Sequence, residues 1–157
     1  MFLGLITDSG NLAKYAIMLE SYVKQVSKKF YPEGKTWDLI EAYKKTKPFP
    51  YGRGYQNFFF YYDARTPAVV GAGGGGITFE NRIYLPFRPD EGSCSGRKLI
   101  MHELVHSYQY YKYGINVFVA RYLRDFFWNL IKGKSITRAY YKINFEQEAY
   151  QIEKQFC

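Results

Sequence analysis

From Leu12 to Phe30 the apolar positions are Leu12, Tyr15, Ala16, Leu19, Tyr22, Val23, Val26 and Phe30. This is the three-and-four spacing of a helix, with lysines on the other side, and it predicts a helix laid across a core or sheet. Pro32 and Gly34 interrupt it, and Trp37 to Tyr43 reads as a second, short helix. Pro48, Pro50, Gly52 and Gly54 mark a loop. Residues 2–6 and Ala68 to Gly71 read as short strands, and the aromatic run Phe58 to Tyr62 as a stronger one. From Ile77 to Leu85 the pattern changes to strict alternation. Ile77, Phe79, Ile83 and Leu85 share one parity, so this is a strand or a hairpin turning near Glu80-Asn81.

Beyond Pro86 and Pro89 the helical period returns. A helix is expected from Gly96 or Arg97 to Tyr113, stopped by Gly114. Another covers Asn116 to Ile131, with Val119, Leu123, Phe126, Phe127 and Leu130 as its packing stripe. Ser135 to Tyr141 reads as a short helix, and a last helix starts near Asn144. The sum is an α+β chain. At 157 residues, 1–157 reads as a single domain able to bury a core.

Composition adjusts this picture in three ways. Aromatics make up 20% of the chain, with 17 Tyr and 13 Phe, so packing surfaces also carry many phenolic hydroxyls. The net charge of +8 is spread out, densest from Lys24 to Lys47, and suits a solvated face or an anionic surface without selecting either. Cys94 and Cys157 allow one disulfide but no framework. The start, MFLGLITDSG, lacks a basic region and a long apolar run, and no segment is long enough to span a membrane. The expected setting is cytoplasmic by default, with signal-independent export as the alternative. The glycines at 73–76 lack the Lys-Ser/Thr of a phosphate loop and read as a flexible turn, or as a place where backbone approaches closely.

The chain's only two histidines lie in His102-Glu103-Leu104-Val105-His106, the HExxH pattern of zinc hydrolases. Residues four apart on a helix share a face, so both imidazoles can aim at one ion. Glu103 is rotated about 100° from His102, where it reaches a water on that ion as a general base. Zinc needs a further protein ligand. With no third histidine it must be Asp, Glu, Tyr or Cys, and Glu146 and Glu148 at the start of the last helix are the leading carboxylates. Periodicity does not separate them.

The string HELVHSYQ at 102–109, followed late by Glu146-Gln147-Glu148-Ala149, resembles the gluzincin type of zincin metallopeptidase. It is also similar to small, mostly uncharacterised metallopeptidase domains with a strand before HELxHxxQ and a late NxxExEA, here Asn144 to Ala149. The resemblance covers roughly residues 77–157. It implies a compact zincin-like fold, with a small aromatic-rich antiparallel or mixed sheet packed on the motif helix. It implies Zn²⁺ held by His102, His106 and Glu146, with Glu148 as runner-up. It implies peptide hydrolysis with Glu103 as base, on a peptide or protein paired to the 77–85 strand. The family places an acidic residue after the alanine to support a histidine ligand. This chain has Tyr150 there, so Tyr150 or Glu148 is expected to stand in. No histidine remains for the transition-state oxyanion, which leaves Tyr110, Tyr113, Arg138, Tyr140 and Tyr141 as donors. The competing readings are a catalytically inactive module on the same scaffold and a basic domain binding nucleic acid or an anionic surface around a structural metal. No nucleic-acid-binding motif spacing is present, so no specific nucleic acid is expected.

Overall fold

The computed structural model describes residues 9–47, 57–66 and 75–156. The strands expected at 2–6 and 68–71, and the loop at 48–54, lie outside these residues. The described chain runs α1 (Ser9–Lys24), β1 (Lys28–Phe30), α2 (Gly34–Thr46), β2 (Phe59–Tyr62), β3 (Ile77–Phe79), β4 (Arg82–Tyr84), α3 (Cys94–Tyr113), α4 (Ile115–Ile131), α5 (Ile136–Tyr141) and α6 (Asn144–Glu153), then a 3-10 turn at Lys154–Phe156. It is an α+β architecture. No helix among the described residues is long and apolar enough to cross a membrane.

The first expected helix is cut short. It ends at Lys24, and Lys28–Phe30 forms a strand instead. Ser27 Oγ folds back on the Lys24 carbonyl at 2.9 Å, and β1 then pairs antiparallel with β2, Lys28 opposite Tyr62 and Phe30 opposite Phe60. Val26 falls in the turn after α1, and Phe30 fits the helical period by coincidence, because its partner Phe60, 30 residues away, decides its conformation.

The sheet is mixed, in the order β1-β2-β4-β3, with β2 parallel to β4 and β3–β4 an antiparallel hairpin turning at Glu80-Asn81. Register puts Phe30, Phe60, Ile83 and Thr78 in one row across it. Side chains directly opposite one another share a face. This row faces α3, where Phe30, Phe60 and Ile83 join Ile100, Met101, Leu104 and Val105 in the main core. The row ends with Thr78 on the edge strand, above α3. The opposite face carries Tyr61 stacked on Tyr84 at 4.8 Å and is covered by α1 through Ala16 and Val23. Glu20 of α1 clamps Arg82 and accepts from the Tyr84 hydroxyl at 2.7 Å.

Helix α3 starts where Ser93 Oγ accepts the Gly96 N–H at 3.0 Å and ends at Gly114, whose φ of 80° favours glycine. Cys94 in its first turn is disulfide-bonded, and the second cysteine, Cys157, lies outside the described residues. From Ile100 to Ser107 every side chain of α3 is buried, so the histidine stripe is enclosed as well as the core stripe. α6 packs along α3 through Ala149, with Phe145 in a second cluster beside Tyr110, Phe118 and Tyr140.

Candidate metal centre

His102 and His106 stand one turn apart with their Nε2 atoms 3.2 Å from each other. Glu146, in the first turn of α6, reaches both: Oε2 lies 2.8 Å from His102 Nε2 and Oε1 3.1 Å from His106 Nε2. Tyr122 of α4 donates to Glu146 Oε1 at 2.7 Å. All three cluster residues are at most 5% exposed. Three ligands on a tetrahedral ion with bonds of about 2 Å sit about 3.3 Å apart. The separations of 2.8, 3.1 and 3.2 Å are within half an ångström of that spacing. Of the two carboxylates left open by spacing, the fold brings Glu146 to the histidines. Glu148 points elsewhere and accepts from Gln109 Nε2 at 3.2 Å.

The outer ring nitrogens are occupied too. His102 Nδ1 is 2.8 Å from Glu153 Oε2, and His106 Nδ1 is 2.8 Å from Gln109 Oε1. Gln109 is oriented by its own amide, which donates to the Phe145 carbonyl at 3.0 Å and to Glu148. Its oxygen therefore faces His106, and His106 Nδ1 must carry the hydrogen. With acceptors behind both rings, each imidazole when neutral keeps its hydrogen on Nδ1 and turns an Nε2 lone pair to the centre, the tautomer that a metal requires. The structure keeps the expected stand-ins for the acidic residue of the resembled motif away from His102 Nδ1. Tyr150 instead packs its ring against His102 at 4.6 Å, Glu148 acts only through Gln109, and Glu153 takes the role on His102.

Charges in the cluster are tightly coupled. Burial lowers the His102 pKa, but the bonds to Glu146 and Glu153 outweigh it and raise it to about 10. His106 is likewise lowered by burial and raised overall by Glu146. Burial raises the Glu146 carboxyl, yet His106 and His102 hold it well below the usual carboxylate range. Burial, with Glu146 adding to it, pushes the Tyr122 phenol up, so it stays a hydrogen donor.

Glu103 is 1% exposed and turns toward the edge strand. Its Oε2 accepts from Thr78 Oγ1 at 2.7 Å and its Oε1 from the Gly76 N–H at 3.2 Å. A Cβ on Gly76 would lie 2.3 Å from the Tyr84 carbonyl, so only glycine lets the chain pass there and present its amide. The close approach at Gly76 is thus that of the protein's own Tyr84 backbone, and it leaves the Gly76 amide on Glu103. Gly73 and Gly74 lie outside the described residues.

Two cavities meet the cluster. One, of about 320 Å³, is walled by apolar side chains of α1, β3 and α4 and has Glu103, His106 and Glu146 on its floor. The other, of about 390 Å³, is more polar and reaches His102, Glu153, Asp90 and Lys98. Tyr140 lines both. Of the other phenols expected as oxyanion donors, Tyr110 borders the first cavity and Tyr141 the second, while Tyr113 packs on Phe145 at 5.5 Å. Arg138 lies on the exposed side of α5 and lines neither.

Sequence reasoning missed Glu153, Tyr122 and Thr78. Glu153 is seven residues after Glu146, two helical turns on the same face, which was a usable signal. Tyr122 carried none among 17 tyrosines. Among the described residues, His102, His106 and Glu146 form a group of ligating side chains able to hold a metal ion. Comparison of the chain with protein-family models, with curated proteins and with solved structures finds no match to any of them.

Proposed function

We propose that this chain is a zinc-dependent peptide hydrolase with a zincin-like fold of the gluzincin type. The observation that carries the reading is the convergence of His102 Nε2, His106 Nε2 and the Glu146 carboxylate, with both outer imidazole nitrogens backed by acceptors and Glu103 on the same cavity floor. Two imidazoles and a carboxylate suit zinc better than the oxygen-seeking magnesium or calcium. Bound there, zinc would supply Lewis acidity, polarising a scissile carbonyl and acidifying water. Glu103 takes the proton of the attacking water and returns it to the leaving amine. Tyr140, between the two cavities, is the phenol that donates to the developing oxyanion. An extended substrate adds to β3, the outermost strand of the sheet among the described residues. The disulfide at Cys94 favours an oxidising setting over the cytoplasmic default.

One observation favours the inactive module instead: both Glu103 oxygens already accept bonds from the edge strand. The deciding experiment is metal analysis with peptide cleavage on wild type, Glu146→Ala, Glu148→Ala and Glu103→Gln. Wild type and Glu148→Ala should hold about one zinc per chain, and Glu146→Ala should lose it. Glu103→Gln should keep zinc and lose hydrolysis. A wild type that takes up no zinc ends the hydrolase reading. A wild type that takes it up and cleaves nothing leaves the inactive module.

A further inference from the structure

We infer that the site selects a large apolar side chain on the N-terminal side of the scissile bond, seated in the cavity under α1 and α4. The inference rests on the hydrolase reading above. Its basis is that the two cavities flanking the cluster differ in chemistry and are offset along the edge strand, one following all of β3 and the other starting before it. The apolar one runs along Gly76 to Phe79 and is closed by Leu12 and Leu19 of α1 and by Val119 and Leu123 of α4. The polar one begins at Gly75 and extends toward Asp90, Lys98 and Glu153. A substrate paired with β3 therefore runs beside apolar walls along the strand and meets polar walls only before its N-terminal end.

Chain direction follows from strand addition. β3 is the edge strand, and antiparallel pairing is the more stable form. An antiparallel substrate directs residues before the scissile bond toward the C-terminal end of β3, along the strand that the apolar cavity follows, and residues after it toward Gly75 and the polar cavity. Residues after the bond then face Lys98, Asp90 and Glu153. At about 320 Å³ the apolar cavity is at the small end of ligand pockets, suited to one large side chain and its backbone and not to a larger ligand.

This assignment also accounts for α1. Its apolar stripe was expected to be core, yet Tyr15 and Leu19 are 51% and 39% exposed. Both border the cavity, so they form its mouth.

The test uses zinc-loaded protein and measures binding as well as cleavage. N-acetyl-amino-acid hydroxamates carry their side chain on the N-terminal side of the zinc-binding group, and 2-substituted malonyl hydroxamates carry it on the other. In the first series phenylalanine should bind about 10- to 100-fold more tightly than glycine, and the second series should show a much flatter ranking. Leu19→Trp narrows the cavity and should collapse the phenylalanine-to-glycine ratio to about twofold or less, as should Leu123→Trp from the opposite wall. Mapping of cleaved bonds in a mixed peptide library should show Phe, Leu or Tyr before the cut. Equal affinity for both side chains overturns the inference while leaving the metal centre intact, and so does a stronger preference in the malonyl series. Protein that ranks phenylalanine over glycine but cleaves nothing supports the cavity and overturns hydrolysis. Failure of every hydroxamate to bind overturns both.

Discussion

Thr78→Val tests the contact between the edge strand and Glu103. The substitution keeps the β-branched shape, so it leaves no cavity, and it removes one hydroxyl. That hydroxyl is 2.7 Å from Glu103 Oε2 and 3.2 Å from the Glu103 carbonyl. Thr78 is 5% exposed and Glu103 1%, so water does not readily replace the lost donor. A hydrogen bond to a charged group contributes about 1.5–3 kcal/mol. For a chain of this size that is a fall of about 3–12 °C in the unfolding midpoint. Thr78 touches none of His102, His106 and Glu146, so zinc stoichiometry should stay at the wild-type value. Turnover should fall about tenfold to a hundredfold, because Glu103 is then held only by the Gly76 amide and a base displaced by an ångström loses that much. Thr78→Ser restores the hydroxyl and should recover most of both. The assays are thermal unfolding, zinc content and peptide cleavage on the same samples. A valine variant with wild-type midpoint and turnover would refute the positioning role, and one that lost zinc would show that β3 supports the cluster itself.

Two further outcomes follow from the cluster. Gln109→Ala removes the acceptor behind His106 and should weaken zinc binding about 10- to 100-fold in a chelator competition, with Glu148→Ala weaker in effect because it acts only through Gln109. In zinc-free protein, the raised His102 pKa contributes stability that is complete below pH 6.5 and lost as pH rises through about 10. The depressed Glu146 pKa contributes stability that is complete above pH 4.5 and lost as pH falls through its lowered value. The cluster's contribution to the zinc-free midpoint should therefore peak between pH 4.5 and 6.5 and decline toward pH 10, and a cluster contribution still rising above pH 8 would contradict the ion pairing.

Where pattern and local chemistry agree, the sequence could be read directly. The period after Pro89 marks α3 to within a few residues, and of the two readings of Ile77 to Leu85 the hairpin turning at Glu80-Asn81 is the one that forms; its turn reverses the parity, so Ile77 and Phe79 face α1 while Ile83 and Leu85 face α3. His102 and His106 needed only their spacing, because a helix fixes the relation between residues four apart. What was not legible depended on distant partners. β1 looked helical until β2 paired with it. α1's stripe looked like core, but Ala16 and Val23 pack on the sheet while Tyr15, Leu19 and Tyr22 remain largely exposed. On α4 the expected stripe is half-buried, and Phe118, outside it, is the buried aromatic, stacked on Tyr110 at 3.8 Å and Phe145 at 4.8 Å. The choice between Glu146 and Glu148 depended on how α6 is rotated against α3, which periodicity leaves open when both helix faces meet protein.

In the resembled motif a carboxylate one position after the alanine orients a histidine ligand. Here that position is Tyr150, and the carboxylate reaching His102 Nδ1 comes from Glu153, three residues later and on the same face of the C-terminal helix. Removing it with Glu153→Ala has two opposing effects on zinc affinity. The ring loses its orienting partner, which costs about 10- to 100-fold. The His102 pKa also falls, because after burial and Glu146 the Glu153 bond is the next cause of its shift. Fewer protons then compete with the metal, and this gain matters only where His102 of the wild type is protonated, below about pH 10. The net deficit of the variant should therefore be small at pH 6 and grow toward pH 9. A zinc affinity ratio between wild type and Glu153→Ala that stays flat with pH would mean Glu153 orients the ring without holding its proton. A deficit largest at pH 6 would contradict the proton competition. Tyr150→Asp added to Glu153→Ala should recover affinity if the two positions are equivalent supports, and Tyr150→Phe alone should leave it unchanged, since Tyr150 meets His102 through its ring face.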